Sequence, residues 1–398
     1  AMPADLTWEQ AATIDVGGDL AFLNRRLTVT GDWYKRKTTD MIVSGPEVPD
    51  IFGTSSPKGN YATMSTYGFE LSVGYRDKFK LAGKDFNWSV RATLSDNYSY
   101  IDEYNNPMRT LSNFSMQASD HVRHSSYSKN YYPGMRMGDI WGFVVDGLYQ
   151  TQEQCDEDQL KAVAAGQKFY NPLFYSHSKQ LPRPGDVHAV DLNGNGYIDR
   201  GKNTVDDPGD RKIIGNETPR YRYSFSLNAD WNGFSISALF QGVGKQDWYP
   251  GGECHDFWGK FNRPYNVMPT WHIGNTWTEE TPDAYLPILS TYNNIAYTGG
   301  DLYANTRYLQ NVAYLRLKNL QVGYKLPKVV VNKAKLQNVE IYVSGENLYT
   351  WSPLYKRTRD INVTNVNSMG DSDLGGSPSQ GASYPTMRSY SVGLNITF

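Results

Sequence analysis

The chain closes on Tyr390-Ser-Val-Gly-Leu-Asn-Ile-Thr-Phe398, in which Tyr390, Val392, Leu394, Ile396 and Phe398 alternate with Ser391, Gly393, Asn395 and Thr397. A period of two sends successive side chains to opposite faces of a pleated strand, so this segment has one apolar face and one polar face. A strand of this kind with an open edge has to be captured by a neighbour before it aggregates.

The same alternation recurs back along the chain. Leu27, Val29, Gly31 and Trp33 oppose Thr28, Thr30, Asp32 and Tyr34; Phe69, Leu71, Val73 and Tyr75 oppose Glu70, Ser72, Gly74 and Arg76. Trp88, Val90, Ala92 and Leu94 are set against Ser89, Arg91, Thr93 and Ser95, and the pattern returns over Tyr223–Trp231, Phe234–Phe240 and Val339–Gly345. Breaks at Leu23-Asn24-Arg25 and Asn232-Gly233 carry the residue types of tight reversals. Residues 104–137, 151–218 and 248–307 are instead long, rich in Gly, Pro, Asn, Asp and Tyr, and aperiodic. With less regular segments at Trp141–Gln150 and Tyr308–Leu326, the count reaches about ten strands. In the latter, Leu315 and Leu317 are out of phase with Leu320, Val322 and Tyr324, which predicts a bulge near Asn319.

Composition narrows the class. Charged residues make up 20% of the 398 residues and aromatics 14%, with 36 Gly and 30 Tyr, which favours strands joined by turns. A formal net charge of −2 offers no field for a nucleic-acid backbone, so no nucleic-acid partner is expected. No apolar run is long enough for a membrane helix, and mean hydropathy is low. Low hydropathy does not exclude a membrane barrel, whose strands show lipid only every second side chain. A soluble β-sandwich would alternate too. Stretches as long as Phe86–Tyr100 and Tyr221–Phe240, with Arg, Glu, Asp, Ser and Thr on the polar side, favour a wall with a wet lumen. The start, Ala1-Met-Pro-Ala-Asp-Leu, is not a signal peptide. Cys155 and Cys254 lack zinc or redox spacing; a disulfide between external loops and two free thiols both stay open.

The last strand, with its terminal Phe398, resembles the signal read by the bacterial barrel-assembly machinery. Several stretches resemble the SusC/RagA family of TonB-dependent outer-membrane transporters: Leu6-Thr-Trp-Glu9 with Asp15-Val-Gly-Gly-Asp19; Asn60-Tyr-Ala62 to Gly68-Phe-Glu-Leu71; and Trp141-Gly-Phe-Val-Val-Asp-Gly-Leu-Tyr-Gln150. Gly185-Asp186 to Asp191-Leu-Asn-Gly-Asn-Gly-Tyr-Ile-Asp199, followed by Asp210-Arg211 and Ile214-Gly-Asn216, is similar to the family's acidic loop. Tyr314-Leu-Arg-Leu-Lys-Asn-Leu320 to Tyr324-Lys-Leu-Pro327, and Val343-Ser-Gly-Glu-Asn-Leu348, resemble its penultimate strands. The resemblance implies an all-β, antiparallel transmembrane barrel of which residues 1–398 form the C-terminal portion, about ten strands in a wall of about 22. The three long stretches become extracellular loops. Nothing here resembles the family's plug, so the plug and the remaining strands are expected from a preceding portion.

Two constellations could carry chemistry. Asp191, Asn193, Asn195, Tyr197 (through its carbonyl) and Asp199 fall at the spacing of an EF-hand-like loop, with Gly196 at the sharp turn. Position twelve is Lys202, so the bidentate acid is missing. Either a structural Ca²⁺ or Mg²⁺ sits here, or the loop is an Asx-rich turn satisfied by its own amides. The aromatics Trp248, Tyr249, Trp258, Tyr265 and Trp271 either stack on a sugar or peptide ligand or anchor the loop. The six histidines, His121, His124, His177, His188, His255 and His272, are scattered, with Asp186–His188 a weak pair. No catalytic set emerges, and no cofactor is required.

The expected function is therefore the barrel wall of an importer in the outer membrane of a Gram-negative bacterium, not an enzyme. The resemblance implies oligosaccharide or peptide cargo, a SusD-like surface lipoprotein, outer-membrane lipid around the wall, and TonB acting through the plug. The alternatives are a self-closed barrel enzyme or adhesin and a soluble carbohydrate-binding β protein.

Overall fold

Alternating segments separated by reversals need only pair with their sequence neighbours to form a meander, and that is the fold. The computed structural model describes residues 6–45, 57–113, 128–178, 180–250, 257, 270–289, 304–364, 366 and 386–398. Nine strands form one antiparallel sheet in sequential order: β1 (Gln10–Phe22), β2 (Leu27–Ser44), β3 (Lys58–Leu81), β4 (Lys84–Glu103), β5 (Arg220–Trp231), β6 (Phe234–Lys245), β7 (Tyr314–Lys325), β8 (Asn338–Trp351) and β9 (Ser389–Thr397). The first and last strands do not pair with each other, so among the described residues the sheet is open. No described helix is long and apolar enough to cross a membrane.

The reversals at one end are short. Leu23, Asn24 and Arg25 all take positive φ, and the Ala82-Gly83 and Asn232-Gly233 pairs do the same, as a primed hairpin turn demands. Between β7 and β8, Pro327 precedes a short helix, Lys328–Lys333. At the opposite end the connections are long, so tight turns and large loops segregate to opposite rims. The predicted bulge is present: β6 pairs Leu239 with Asn319 and Phe240 with Leu317, leaving Lys318 out of the ladder.

One predicted strand lies elsewhere. Trp141–Gln150 is not part of the main sheet. Its Asp139–Phe143 portion pairs with Arg211–Asn216, and Val145–Leu148 pairs with Val187–Ala189, inside the loop body. Two short pieces broken at Val144 are too brief to span a bilayer, and among the described residues the main sheet has nine strands.

Register shows how the faces line up. Residues opposite one another in an antiparallel pair share a face. Leu20 lies opposite Val29, Val29 opposite Val73, and Val73 opposite Ala92. The row continues through Phe225, Phe240, Leu317 and Tyr349. A second row joins Ile236, Val322, Val343 and Val392. One apolar surface therefore runs across the sheet, and among the described residues no second layer covers it: Val343 is 53% exposed and Val392 78%. A water-soluble sandwich would bury this face.

Candidate functional site

The apolar face is bounded by aromatic rows. Near the short turns, Phe79 packs on Phe86 with centroids 4.9 Å apart, Tyr75 on Trp88 at 5.3 Å and Phe234 on Tyr324 at 4.5 Å. Toward the long loops, Tyr67 stacks on Tyr98 at 5.6 Å, and Tyr349 meets Trp351 at 4.6 Å. Trp88 and Tyr98 share the outer face of β4, 10 positions apart. At about 3.3 Å per residue and a tilt of about 40°, the two rows stand roughly 25 Å apart, the height of the lipid-facing band of an outer-membrane barrel.

The other face is a polar ladder. Thr30 donates to Asp19 at 2.6 Å, Arg91 to Ser72 at 3.2 Å, and Asn87 to Asp230 at 2.7 Å; Thr93 and Ser224 share a hydrogen bond of 2.7 Å. Hydroxyls, amides and guanidinium groups on every second residue keep water and polar solutes satisfied along this wall. Near the loop rim, Thr93, Arg222 and Gln241 line a cavity of about 380 Å³ roofed by Val363 and Val366. The neighbouring Arg316 is buried, donating to Thr350 at 2.8 Å and to Asn362 at 3.3 Å. Arginine and glutamine donors beside apolar valines suit a ligand bearing hydroxyl, carbonyl or carboxylate oxygens.

Above the rim the long segments fold into a body with its own core. Trp248, Tyr249, Phe257, Tyr308, Val312, Leu354 and Ile361 are all buried together. Trp248 is 1% and Tyr249 4% exposed, so these two sequence candidates lie in the core of the loop body. Trp271 is half-buried against the same core; Trp258 and Tyr265 lie outside the described residues. Close approach fixes the arrangement: a Cβ on Gly142 would sit 2.2 Å from the Ala304 carbonyl oxygen, while Phe143 donates its amide to that oxygen at 2.8 Å.

The acidic turn resolves into carboxylates wrapped by amides. Asp191 Oδ1 accepts from Gly194 at 2.7 Å and its Oδ2 from Gly196 at 2.7 Å. Asn193 accepts from the Asn195 amide at 3.0 Å, and Asn195 from that of Tyr197 at 3.1 Å. Asp199 accepts from the Gly201 amide. The fully buried Asp210, of the acidic stretch that follows the turn, accepts from the amides of Leu192 at 2.7 Å and Asp199 at 2.7 Å. Burial pushes its carboxyl above the usual range despite these amides. Backbone N–H donors offset part of the carboxylate charge of this turn. Among the described residues no group of three or more His, Cys, Asp or Glu is arranged to hold a metal.

Asp186 and His188 do not pair. His188 Nδ1 lies 2.6 Å from Asp146 and Nε2 3.0 Å from Asp158, between the rings of Tyr149 and Tyr170. Tyr149 donates to Asp158 at 2.9 Å and Lys161 donates to the same carboxylate at 2.7 Å, so Asp158, on the helix Gln152–Ala164, is the buried hub of a polar network. Sequence reading missed this network and the helix. Its one local signal was a cap: Thr151 accepts from the Gln154 amide while Gln154 accepts from that of Gln150. On the same helix, Cys155 is a free thiol, pushed up to about 12 chiefly by burial and then by nearby carboxylates, and it stays protonated. Cys254 lies outside the described residues.

Asp186 itself is only 13% exposed at its side chain, and burial lifts its carboxyl to about 6. Because the folded value exceeds the unfolded one, this group adds no cost below the ordinary carboxyl range, and stability falls as pH rises through about 6. The full effect is on the order of 3 kcal/mol. Amide exchange at Gly185 and Tyr149, which bond across this turn at 2.7 and 2.9 Å, is expected to be better protected at pH 5 than at pH 7 after correction for intrinsic rates. Asp186→Asn should abolish the difference.

No family model matches the chain. TonB-dependent receptor P3 of Formosa agariphila is 27% identical over 405 residues, covering 99% of this chain and 34% of its own length. TonB-dependent receptor SusC of Bacteroides thetaiotaomicron is 22% identical across 80% of this chain and 26% of its own length. The solved structure of the RagAB peptide transporter superposes with a TM-score of 0.58 at 19% identity, covering 99% of this chain and 36% of that one. The chain spans about a third of the length of the first curated relatives it matches. With an apolar outer face, a polar inner face and loops gathered at one rim, the chain fits a SusC/RagA-like fragment of a TonB-dependent transporter barrel.

Proposed function

We propose that this chain forms part of the wall and the external loops of an outer-membrane, TonB-dependent importer of oligosaccharides or peptides, working with a SusD-like lipoprotein. The observation that carries the reading is the register: one apolar surface continuous over nine strands, backed by a polar one. A wall of that kind separates lipid from a water-filled passage. The long loops at one rim are the external side, where a surface lipoprotein would meet them, and the cavity beside Arg222 and Gln241 is the nearest point at which this wall could hold cargo. Remaining strands and a plug come from elsewhere in the same transporter, through which TonB acts. The relatives' names support import as the class of activity, and RagAB supports peptide as one of the two cargo classes.

The test is uptake by cells lacking the complete protein that carries this chain. Deletion is expected to abolish energy-dependent uptake of one labelled oligosaccharide or peptide class, restored by the intact gene and blocked by a protonophore. Affinity purification should bring down a surface lipoprotein in near-stoichiometric amount. Unchanged uptake of every class in the deletion strain would sink the import reading.

A further inference from the structure

On the outer face at the long-loop rim, β6 carries Gly242 and Gly244, whose lack of a side chain lets the Tyr223 ring lie over the first and Tyr221 over the second. Beside these rings an open surface groove of about 530 Å³ runs between Tyr223 on one side and Leu315 and Trp351 on the other. Tyr223 is held in place by donating to the Tyr314 carbonyl at 3.2 Å. The upper end is closed by Tyr355, Lys356 and Arg359. Arg359 is fixed by donating to Tyr349 at 3.0 Å and lies over the rings of Tyr349 and Tyr355 at 5.4 and 5.1 Å. Lys356 and Arg359 are exposed. The adjacent carboxylate, Asp360, accepts from the Thr358 hydroxyl at 3.2 Å, and Arg357 is drawn away onto Tyr285 at 3.7 Å.

We infer that this groove binds a phosphate-bearing lipid of the surrounding leaflet, its acyl chain lying between Tyr223 and Trp351 and its phosphate meeting Lys356 and Arg359. The inference rests on the membrane-wall reading above. The groove stands at the upper aromatic row, where headgroups begin, and two cations directly above an apolar slot match an amphiphile with an anionic head. An apolar groove alone would accept any alkyl chain. The cationic cap is what selects the occupant.

Native mass spectrometry of the complete protein carrying this chain, released from its own membrane in detergent, tests it. The probes are dioleoyl phosphatidic acid, dioleoyl glycerol and inorganic phosphate. Phosphatidic acid should be retained on the wild type, diacylglycerol much less, and inorganic phosphate should not displace the lipid. Lys356→Gln with Arg359→Gln should weaken phosphatidic acid roughly ten- to thirtyfold, the effect of losing two basic contacts at an anionic lipid surface. Trp351→Ala should weaken both lipids. Equal retention of the two lipids, displacement by phosphate, or no change in the double variant overturns the groove while leaving the wall intact. Release of the protein from membranes by alkaline wash without detergent would instead overturn the wall itself.

Discussion

Val343→Arg in the complete protein is expected to destabilise the membrane-inserted fold by about 2–4 kcal/mol, whereas Ser344→Arg, one residue on, is expected to cost less than about 1 kcal/mol. The contrast follows from parity. Val343 lies opposite Val322 on one side and Val392 on the other, in the apolar row that no second layer covers. A guanidinium there must either sit in hydrocarbon or drag water and headgroups toward it. Ser344 points to the polar ladder, opposite Gln321 and Ser391 and in the same strand and face as Glu340 and Glu346. An arginine at that site finds two carboxylates and water. Urea unfolding from lipid vesicles measures the difference, and retention of the folded, faster-migrating band on unheated gels gives the same order. Equal cost at the two positions would mean that the sheet has no lipid side. The larger cost at Ser344 would mean that the faces are assigned the wrong way round.

The same parity explains what could be read from the sequence. Lipid on one side and water on the other impose a period of two that survives low overall hydropathy, so the strands carrying Phe69–Tyr75, Trp88–Leu94 and Tyr390–Ile396 declare themselves. Even the bulge is legible, because Leu315 and Leu317 fall out of step with Leu320 unless Lys318 is skipped. The loop body follows no such rule. Trp141 and Phe143 alternate like sheet residues, yet their strand is short, and its partner, Arg211–Asn216, lies across a long excursion that no local pattern specifies. The His188 network has the same character: its partners stand 42 and 30 positions away, and only the fold brings them together. The aromatic loop residues were read as ligand contacts or anchors on equal terms, since a ring's chemistry is the same in a core as on a sugar. Trp248 and Tyr249 lie in the core of the loop body, a placement that no local pattern specifies.

Arg220→Met is expected to cost about 3–5 kcal/mol, and adding Asp96→Asn to it should recover much of that loss. Arg220 pairs with Asp96 through both its Nε and Nη2, Asp96 also accepts from the Tyr221 amide at 3.2 Å, and the side chains are 12% and 4% exposed. The guanidinium is stacked 5.2 Å from the rings of both Tyr98 and Tyr221. Removing the cation alone strands a carboxylate in this dry rim; removing both charges leaves only an amide and a thioether to accommodate. Arg220→Lys should fall between, because an ammonium cannot reproduce the fork that meets both carboxylate oxygens. The position gives the pair its purpose. The ladder between β4 and β5 ends at Ser95 opposite Arg222, and the chain between these strands makes the long loop excursion before returning. A one-residue slip there would send the Tyr223–Trp231 apolar set to the lumen. A buried ion pair placed one step beyond the last ladder contact penalises every register but one. Its loss should therefore raise the fraction of misassembled protein during refolding into vesicles as well as lower unfolding stability. A double variant that regains stability but still refolds with more misassembly than wild type would separate the two contributions; one that regains both would reduce the pair to a stability element alone.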